Sequence, residues 1–265
     1  QFNHDLRSFT VGEVEFAVLF LDHTGQFTVK NFRCRHITGS GSKLLKSDFV
    51  IRHVRSHEKQ RTDSERTGKC RAKQALVQDC HHPSLFILPA PNSDSDNLIT
   101  AGNLLETLST LEHFFDYILL DCPAGLDNGF HRAVYSANEA IVVVTPHISS
   151  IRDAGKVVAR LANYPLSSVK LVVNRVRGDM LMTGDSIAVE RIIDLLGTNI
   201  LGVVPDDDAI SALSAIGAIP SGTTSSRAFA ILAENLHTGT KKIFDCTYRY
   251  RGIAGTIRRN LKRRI

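Results

Sequence analysis

One aspartate, Asp121, closes the apolar run Tyr117-Ile118-Leu119-Leu120 and is followed at once by Cys122-Pro123-Ala124-Gly125. A carboxylate at the end of a buried strand can orient a magnesium-bound or attacking water beside a phosphate, because it supplies negative charge without touching the phosphates. The same residue can instead accept hydrogen bonds from the turn that follows it. Asn174-Arg175 stands after a second apolar run, Val169 to Val173, and Pro205-Asp206-Asp207 after a third, Ile200 to Val204. An amide offers donor and acceptor together and a guanidinium lies flat against a ring, a pair suited to a purine base. An exposed polar turn accounts for the same two residues.

A different chemistry ends the chain. Ile253, Ile257, Leu261 and Ile265 recur every fourth residue, and a helix would gather them into one apolar stripe about 120° wide. Around them stand Arg251, Arg258, Arg259, Lys262, Arg263 and Arg264, with no acidic residue. So short a helix is marginal alone in water but can lie among anionic headgroups, where each basic residue gains roughly 1 kcal/mol. A solvated tail and an RNA-binding arm are the alternatives. Gly252 and Gly255 lower the helix propensity.

The elements that must position these groups alternate. Strands are expected at Leu85 to Leu88, Tyr117 to Leu120, Ala140 to Val144, Val169 to Val173 and Ile200 to Val204. Between and after them, helical spacing appears at Ala101 to His113, after Asn128, at Ile151 to Leu161, Ile187 to Leu196, Asp208 to Ile216 and Arg227 to Leu236. Strands apolar on both faces and separated by helices predict an α/β fold, a mostly parallel sheet with helices on both faces. Ligands of such sheets sit beyond the carboxyl ends of the strands, where Asp121, Asn174 and Pro205 stand.

The first seventy residues break this order. Val14 to Leu21 and Phe27 to Val29 suggest a hairpin about Asp22 to Gly25, and Asn31 to Lys69 is polar, without sustained period, and reads as loop or disorder. The organisation expected is a non-matching segment over 1–70, an α/β domain over 71–240 and a basic tail over 241–265. With 43% apolar residues the chain can form a sizeable core, and no apolar run reaches eighteen residues, so a soluble or peripheral protein is expected. The net charge of +5 concentrates near both ends, which does not indicate a central nucleic-acid groove. Five scattered cysteines without a C-x-x-C pair point to reduced thiols, and Cys70, Cys80, His81 and His82 fit no standard zinc spacing, so no metal site is expected.

From about Arg71 to the C-terminus the text resembles the MinD/ParA group of deviant P-loop ATPases, and MinD in particular. Asp121-Cys122-Pro123-Ala124-Gly125 is similar to the family's second nucleotide motif, Asp-Ser-Pro-Ala-Gly. Leu85-Phe86-Ile87-Leu88-Pro89-Ala90, Thr145-Pro146, Ser149-Ser150-Ile151-Arg152-Asp153-Ala154, Val173-Asn174-Arg175, Asp179-Met180 and Leu201-Gly202-Val203-Val204-Pro205-Asp206-Asp207 follow in the family's order. The resemblance implies a P-loop NTPase-like fold, ATP and magnesium as cofactors, and a role in placing the division septum. It gives Asp121 the positioning of water and magnesium, and Pro123, Asn174, Arg175, Pro205, Asp206 and Asp207 the cofactor pocket. Ser149, Ser150, Arg152 and Asp153 would form a surface for the dimer or a partner. Ile253, Ile257, Arg258, Leu261, Lys262 and Ile265 would meet an anionic membrane. The implied partners are a division inhibitor, a topological-specificity factor and a second copy of the chain, at the inner face of the cell membrane.

The family's Lys-Gly-Gly-x-Gly-Lys-Thr loop, whose backbone N–H groups and lysines hold the phosphates, is not present in this sequence. Thr38-Gly39-Ser40-Gly41-Ser42-Lys43 lacks the Gly-Lys-Thr ending and reads as a Gly/Ser linker. Three expectations follow: no ATPase activity, exposed sheet edges where the loop's strand would sit, and an incomplete or frame-shifted coding region, since the text changes abruptly near Gly68 to Gln74 and begins at Gln1. The competing readings are a pseudo-ATPase remnant, a ParA-like nucleic-acid binder and a flagellar-number regulator.

Overall fold

Period-two burial and short turn-bounded runs turn most of the expected strands into one sheet. The computed structural model describes residues 15–21, 48–52, 73, 76–78, 84–89, 100–122, 126–210 and 222–262. Its strands are β1 (Glu15–Leu21), β2 (Asp48–Arg52), β3 (Val77–Gln78), β4 (Leu85–Pro89), β5 (Tyr117–Cys122), β6 (Glu139–Val144), β7 (Ser168–Val176) and β8 (Asn199–Pro205). Its helices are α1 (Ala101–Leu111), α2 (Asn128–Tyr135), α3 (Ile148–Leu161), α4 (Gly178–Thr183), α5 (Val189–Leu196), α6 (Thr224–Thr238) and α7 (Gly252–Lys262).

The strands lie in the order β3-β4-β2-β5-β1-β6-β7-β8. β6, β7 and β8 pair in parallel. Because β2 is antiparallel to both β4 and β5, and β1 to both β5 and β6, the five strands β4 to β8 all point the same way. Their carboxyl ends therefore share one edge of the sheet.

Alternate residues of β5 and β6 feed two cores. Ile118, Leu120, Ala140, Val142 and Val144 meet α1, α2, α3 and α5 through Leu108, Leu111, Phe130, Ala154, Leu161 and Ile192. Tyr117, Ile141, Val172 and Leu201 face the other way, onto Leu232 and Leu236 of α6. Helices thus cover both faces, as a sheet apolar on both sides requires. Three helix starts carry side-chain caps: Thr100 accepts from the Asn103 N–H, Asp127 from Gly129 and Phe130, and Thr223 from Ser226.

The N-terminal part differs from expectation. β1 is a strand as read, but its two edges carry β5 and β6, so it has no edge for a hairpin return; residues 27–29 lie outside the described residues. The exposed sheet edges expected from the missing loop's strand do not appear between β5 and β6, where β1 pairs antiparallel with both. Asp48–Arg52 is a strand between β4 and β5 although residues 31–69 read as loop, because an apolar core of three residues is too short to show a period. Elsewhere, α3 begins at Ile148, three residues before the expected Ile151, and α4 has no counterpart among the expected helices. Of the helix expected over Asp208 to Ile216, residues 211–216 lie outside the described residues.

Asn235 shows how α6 is held. Its buried Nδ2 donates to the carbonyls of Leu201 at 2.8 Å and Lys242 at 2.6 Å. Its Oδ1 accepts from the Lys242 N–H at 3.0 Å and the Thr240 hydroxyl at 2.9 Å. All four capacities of the amide are used, so α6, β8 and the chain that follows are tied at one point. The return continues with Phe244 and Cys246 buried in the larger core, so the segment assigned to the tail from residue 241 starts as part of the body. Asn235→Ala strands two carbonyls and an N–H and is expected to cost about 2–3 kcal/mol in urea unfolding. A loss under about 0.5 kcal/mol would mean that water replaces the amide.

Candidate functional site

β7 carries a bulge where it reaches the edge formed by the carboxyl ends. Its register with β8 shifts between Val173 and Val176, and Arg175 between them has φ 55°, the one positive φ of a non-glycine among the described residues. The Asn174 Oδ1 accepts the Arg175 N–H at 2.8 Å. A non-glycine in the left-handed region carries strain, and bulges and strain gather where a side chain must be re-aimed. Asn174 and Arg175, expected beyond the strand, are therefore inside it, turned out of the ladder. Arg175 is exposed, and its Nε lies 3.7 Å from the Asp206 carboxylate.

β8 delivers the second half. Pro205 is buried opposite Val176, and the Asp206 N–H donates to the Val176 carbonyl at 3.0 Å, continuing the ladder by one residue. Asp207 turns inward: its two oxygens accept the N–H groups of Ala209 and Ser225, each at 3.1 Å. Burial pushes this carboxyl up, but those two N–H donors, the Ser225 hydroxyl and the Arg249 charge outweigh it and hold the pKa below the ordinary range. The sign follows. A depressed folded pKa contributes stability above the unfolded value of about 4, and that stability is lost as pH falls through the lower folded value. Asp207→Ala is expected to cost about 1 kcal/mol at pH 7, and less in acid. An equal cost at pH 7 and at pH 2 would show that the charge plays no part.

A cleft of about 220 Å³ opens here, lined by Val176 and Gly178 on one side and by Pro205, Asp206, Asp207 and Asp208 on another. Thr224, Cys246, Arg249 and Tyr250 form the far wall, and Arg258 of the tail helix completes it. Beside it the Arg177 guanidinium donates from Nη2 at 2.6 Å and Nε at 3.3 Å to the buried Asp179 carboxylate, which pushes the Arg177 pKa up. Sequence reasoning missed Thr224, Arg249 and Tyr250, whereas Arg177 stands in the stretch Asn174 to Arg177 that follows an expected strand. Asp179 carried a signal as part of the matching Asp179-Met180.

The other expected site residues stand apart from the cleft. Asp121 is exposed at the end of β5, and Pro123 lies outside the described residues. Burial, with Asp121 and Asp127 nearby, pushes the Cys122 thiol up to about 12, and burial beside Asp245 does the same for Cys246. Neither thiol ionises near neutral pH. On α3, Ser149 is half-buried, Arg152 exposed, and Asp153 pairs with Lys156 at 2.8 Å. Ser150, read as a surface residue, is buried, with its Oγ accepting the Thr145 N–H at 3.1 Å; the earlier helix start turns it inward.

In the tail, Ile253 and Ile257 are 86% and 58% exposed. Arg258 donates to the Arg249 carbonyl at 3.1 Å. Leu261 and Lys262 belong to α7, with side chains outside the described set, and Ile265 lies beyond it. No helix among the described residues is long and apolar enough to cross a membrane. Among the described residues no three His, Cys, Asp or Glu side chains are grouped to hold a metal, and the Cys70–His82 cluster lies outside them.

No family model matches the chain. The septum site-determining protein MinD of Synechocystis is 41% identical over 142 residues, 54% of this chain and 53% of that protein. The putative septum site-determining protein MinD of Guillardia theta is 38% identical over 144 residues, 54% of each. The chain spans about half the length of these curated relatives. The MinD cell division protein of Aquifex aeolicus matches in structure with a TM-score of 0.60 at 31% identity, over 66% of this chain and 74% of that one. The Aquifex aeolicus MinC:MinD complex gives 0.59 at 31% identity, over 66% and 71%. MinD complexed with Mg-ADP from Pyrococcus horikoshii gives 0.52 at 28% identity, over 64% and 70%.

Proposed function

Because this chain belongs to the MinD family of septum site-determining proteins, we propose that it serves division-site placement as a membrane-associated, nucleotide-binding regulator. The nucleotide part of this reading rests on one observation. The strained Arg175 and the Asp206-Asp207 turn meet across Val176 at the carboxyl edge of the sheet, beside a cleft of about 220 Å³. The residues fit the base end of a nucleotide: Asn174 offers an amide, Arg175 a planar cation, and Pro205 to Asp207 a rigid turn. They do not fit the other end. Among the described residues only Asp121 resembles a phosphate-side group, and no metal cluster accompanies it.

Adenine recognition without a phosphate clamp is therefore the form of binding proposed. Phosphoryl transfer relies on positioning and electrostatic clamps, which Asp121 alone does not supply, so ATP turnover by this chain is not expected. Titration calorimetry of the full chain with ADP and with adenosine should give similar, weak affinities, both reduced by Arg175→Ala. Magnesium-dependent ATP turnover lost on Asp121→Ala would overturn the deficiency and imply a phosphate loop in the first seventy residues. A pseudo-ATPase that keeps only its contact surfaces is the second reading, favoured by the missing Gly-Lys-Thr string; no nucleotide binding at all would select it.

The remaining parts are carried by resemblance. A division inhibitor is proposed as partner because a MinC:MinD complex is among the structural relatives. Ser149, Arg152 and Asp153 are the proposed contacts for it or for a second copy, and a topological-specificity factor is proposed on the same grounds. The tail is proposed to hold the protein at the inner face of the cell membrane.

A further inference from the structure

Among the residues that line the cleft beside Asp206 and Asp207, one is aromatic: Tyr250. It is half-buried and belongs to the far wall, across from Pro205 to Asp208. Other described tyrosines have their hydroxyls engaged or in solvent. Tyr117 bonds the His237 Nδ1 at 2.8 Å, Tyr164 bonds the His131 Nδ1, and the Tyr248 hydroxyl accepts from Arg227 at 3.2 Å. Tyr135 is 58% exposed. Tyr250 stands close enough to Arg177 to act on its charge, yet its hydroxyl has no hydrogen-bond partner among the described residues. A half-buried tyrosine on the wall of a cleft, with its hydroxyl uncommitted, is available to whatever enters.

The rest of that wall offers less. The Thr224 hydroxyl accepts from the Arg249 Nη1 at 2.8 Å, Arg258 donates to the Arg249 carbonyl at 3.1 Å, and Cys246 is buried. Tyr250 itself is held from both sides. A Cβ at Gly178, the first residue of α4, would stand 3.1 Å from its Cδ2, and one at Gly255 of α7 would stand 2.2 Å from its carbonyl carbon. Its N–H donates to the Thr247 carbonyl at 2.8 Å. Ring and main chain are therefore fixed before a ligand arrives, which lowers the ordering cost of binding.

We propose that Tyr250 is the stacking wall of the cleft: a nucleobase lies against its ring and turns an exocyclic amine toward Asp206. This rests on the nucleotide-binding reading above and adds to it a residue from the segment that the sequence assigned to the tail. The class of ligand follows from the two walls. A planar base satisfies an aromatic ring on one side, since stacking needs only a π-face, and its amine satisfies a carboxylate on the other, which pairs with Arg175 at 3.7 Å and keeps lone pairs to spare. At about 220 Å³ the cleft falls below the roughly 300 Å³ where sites for drug-sized ligands begin, so it takes the base and not the whole nucleotide.

Adenosine is the probe, added to the full chain with isotope-labelled tyrosine rings and followed by nuclear magnetic resonance. The chain has five tyrosines, and the ring signal missing in Tyr250→Phe identifies Tyr250. That signal is expected to move upfield as adenosine is added, with the midpoint found by calorimetry, while the Tyr248 signal stays in place. Tyr250→Phe keeps the ring and loses the hydroxyl, so about threefold weaker binding is expected. Tyr250→Ala should bind about tenfold more weakly still, through loss of one base–aromatic stack. If the wild type binds adenosine and Arg175→Ala weakens it, but the Tyr250 signal does not move or Tyr250→Ala binds like Tyr250→Phe, the stacking wall is overturned and the nucleotide reading stands. Should Tyr250→Ala fail to fold, the wild-type signal still decides. No adenosine binding by the wild type would remove the nucleotide reading, and this inference with it.

Discussion

Gly178→Ala is expected to destabilise the protein by about 3 kcal/mol, lowering the thermal midpoint by roughly 6–12 °C. The new Cβ would stand 1.9 Å from the Cys246 carbonyl oxygen and 2.7 Å from its carbon, both backbone atoms that cannot swing aside. Either α4 or the Cys246–Tyr250 turn must move, and Arg249 and Tyr250 move with the turn. The same substitution is therefore expected to disturb the cleft and loosen the tail as well as the fold. Gly155→Ala is the control. Its Cβ would meet only the Leu196 side chain, at 3.9 Å, inside α3, where alanine gains helix propensity by up to about 1 kcal/mol. Thermal unfolding of the two variants side by side measures the difference, and equal midpoints would contradict the close approach.

Ile257→Glu is expected to weaken binding to anionic vesicles by about 3 kcal/mol, roughly a hundredfold, with no change in the unfolding midpoint. The residue is 58% exposed, so the folded body loses little when it is replaced. At the lipid surface the change removes a buried apolar side chain and adds a charge that the acidic headgroups repel. Leu261→Glu should act in the same direction. Added salt should reduce wild-type binding only in part, since the apolar contribution is not screened. Equal binding of the wild type to neutral and acidic vesicles, with steep salt-sensitive binding to RNA, would transfer the basic tail to nucleic acid.

Much of this protein was legible in its residues because local patterns carried the information. The apolar runs at Tyr117, Ala140, Val169 and Ile200 fixed four strands, their helical intervals fixed the class, and the turn residues after the last of these runs stand at the edge where the cleft opens. The four-residue spacing of Ile253 and Ile257 places them on one helix face. These are properties of period, which a single strand or a few helical turns suffice to reveal.

Tertiary structure decided what depends on residues far apart in the chain. Whether Asn174-Arg175 ends a strand or interrupts one is set by β8, whose register with β7 slips there. The cleft joins β7, β8, α6 and the tail, and no spacing in the sequence announces that Arg258 lines the same cleft as Asp206. Gly178 carried no signal in the sequence, yet it is required because the backbone of Cys246, far along the chain, passes within contact distance of it. β1 was read as one arm of a hairpin and β2 lay in text without a period, and their places between β5 and β6 and between β4 and β5 come from non-local pairing alone. Propensity acts over a few residues, while close approach, register and shared walls arise only when distant segments meet.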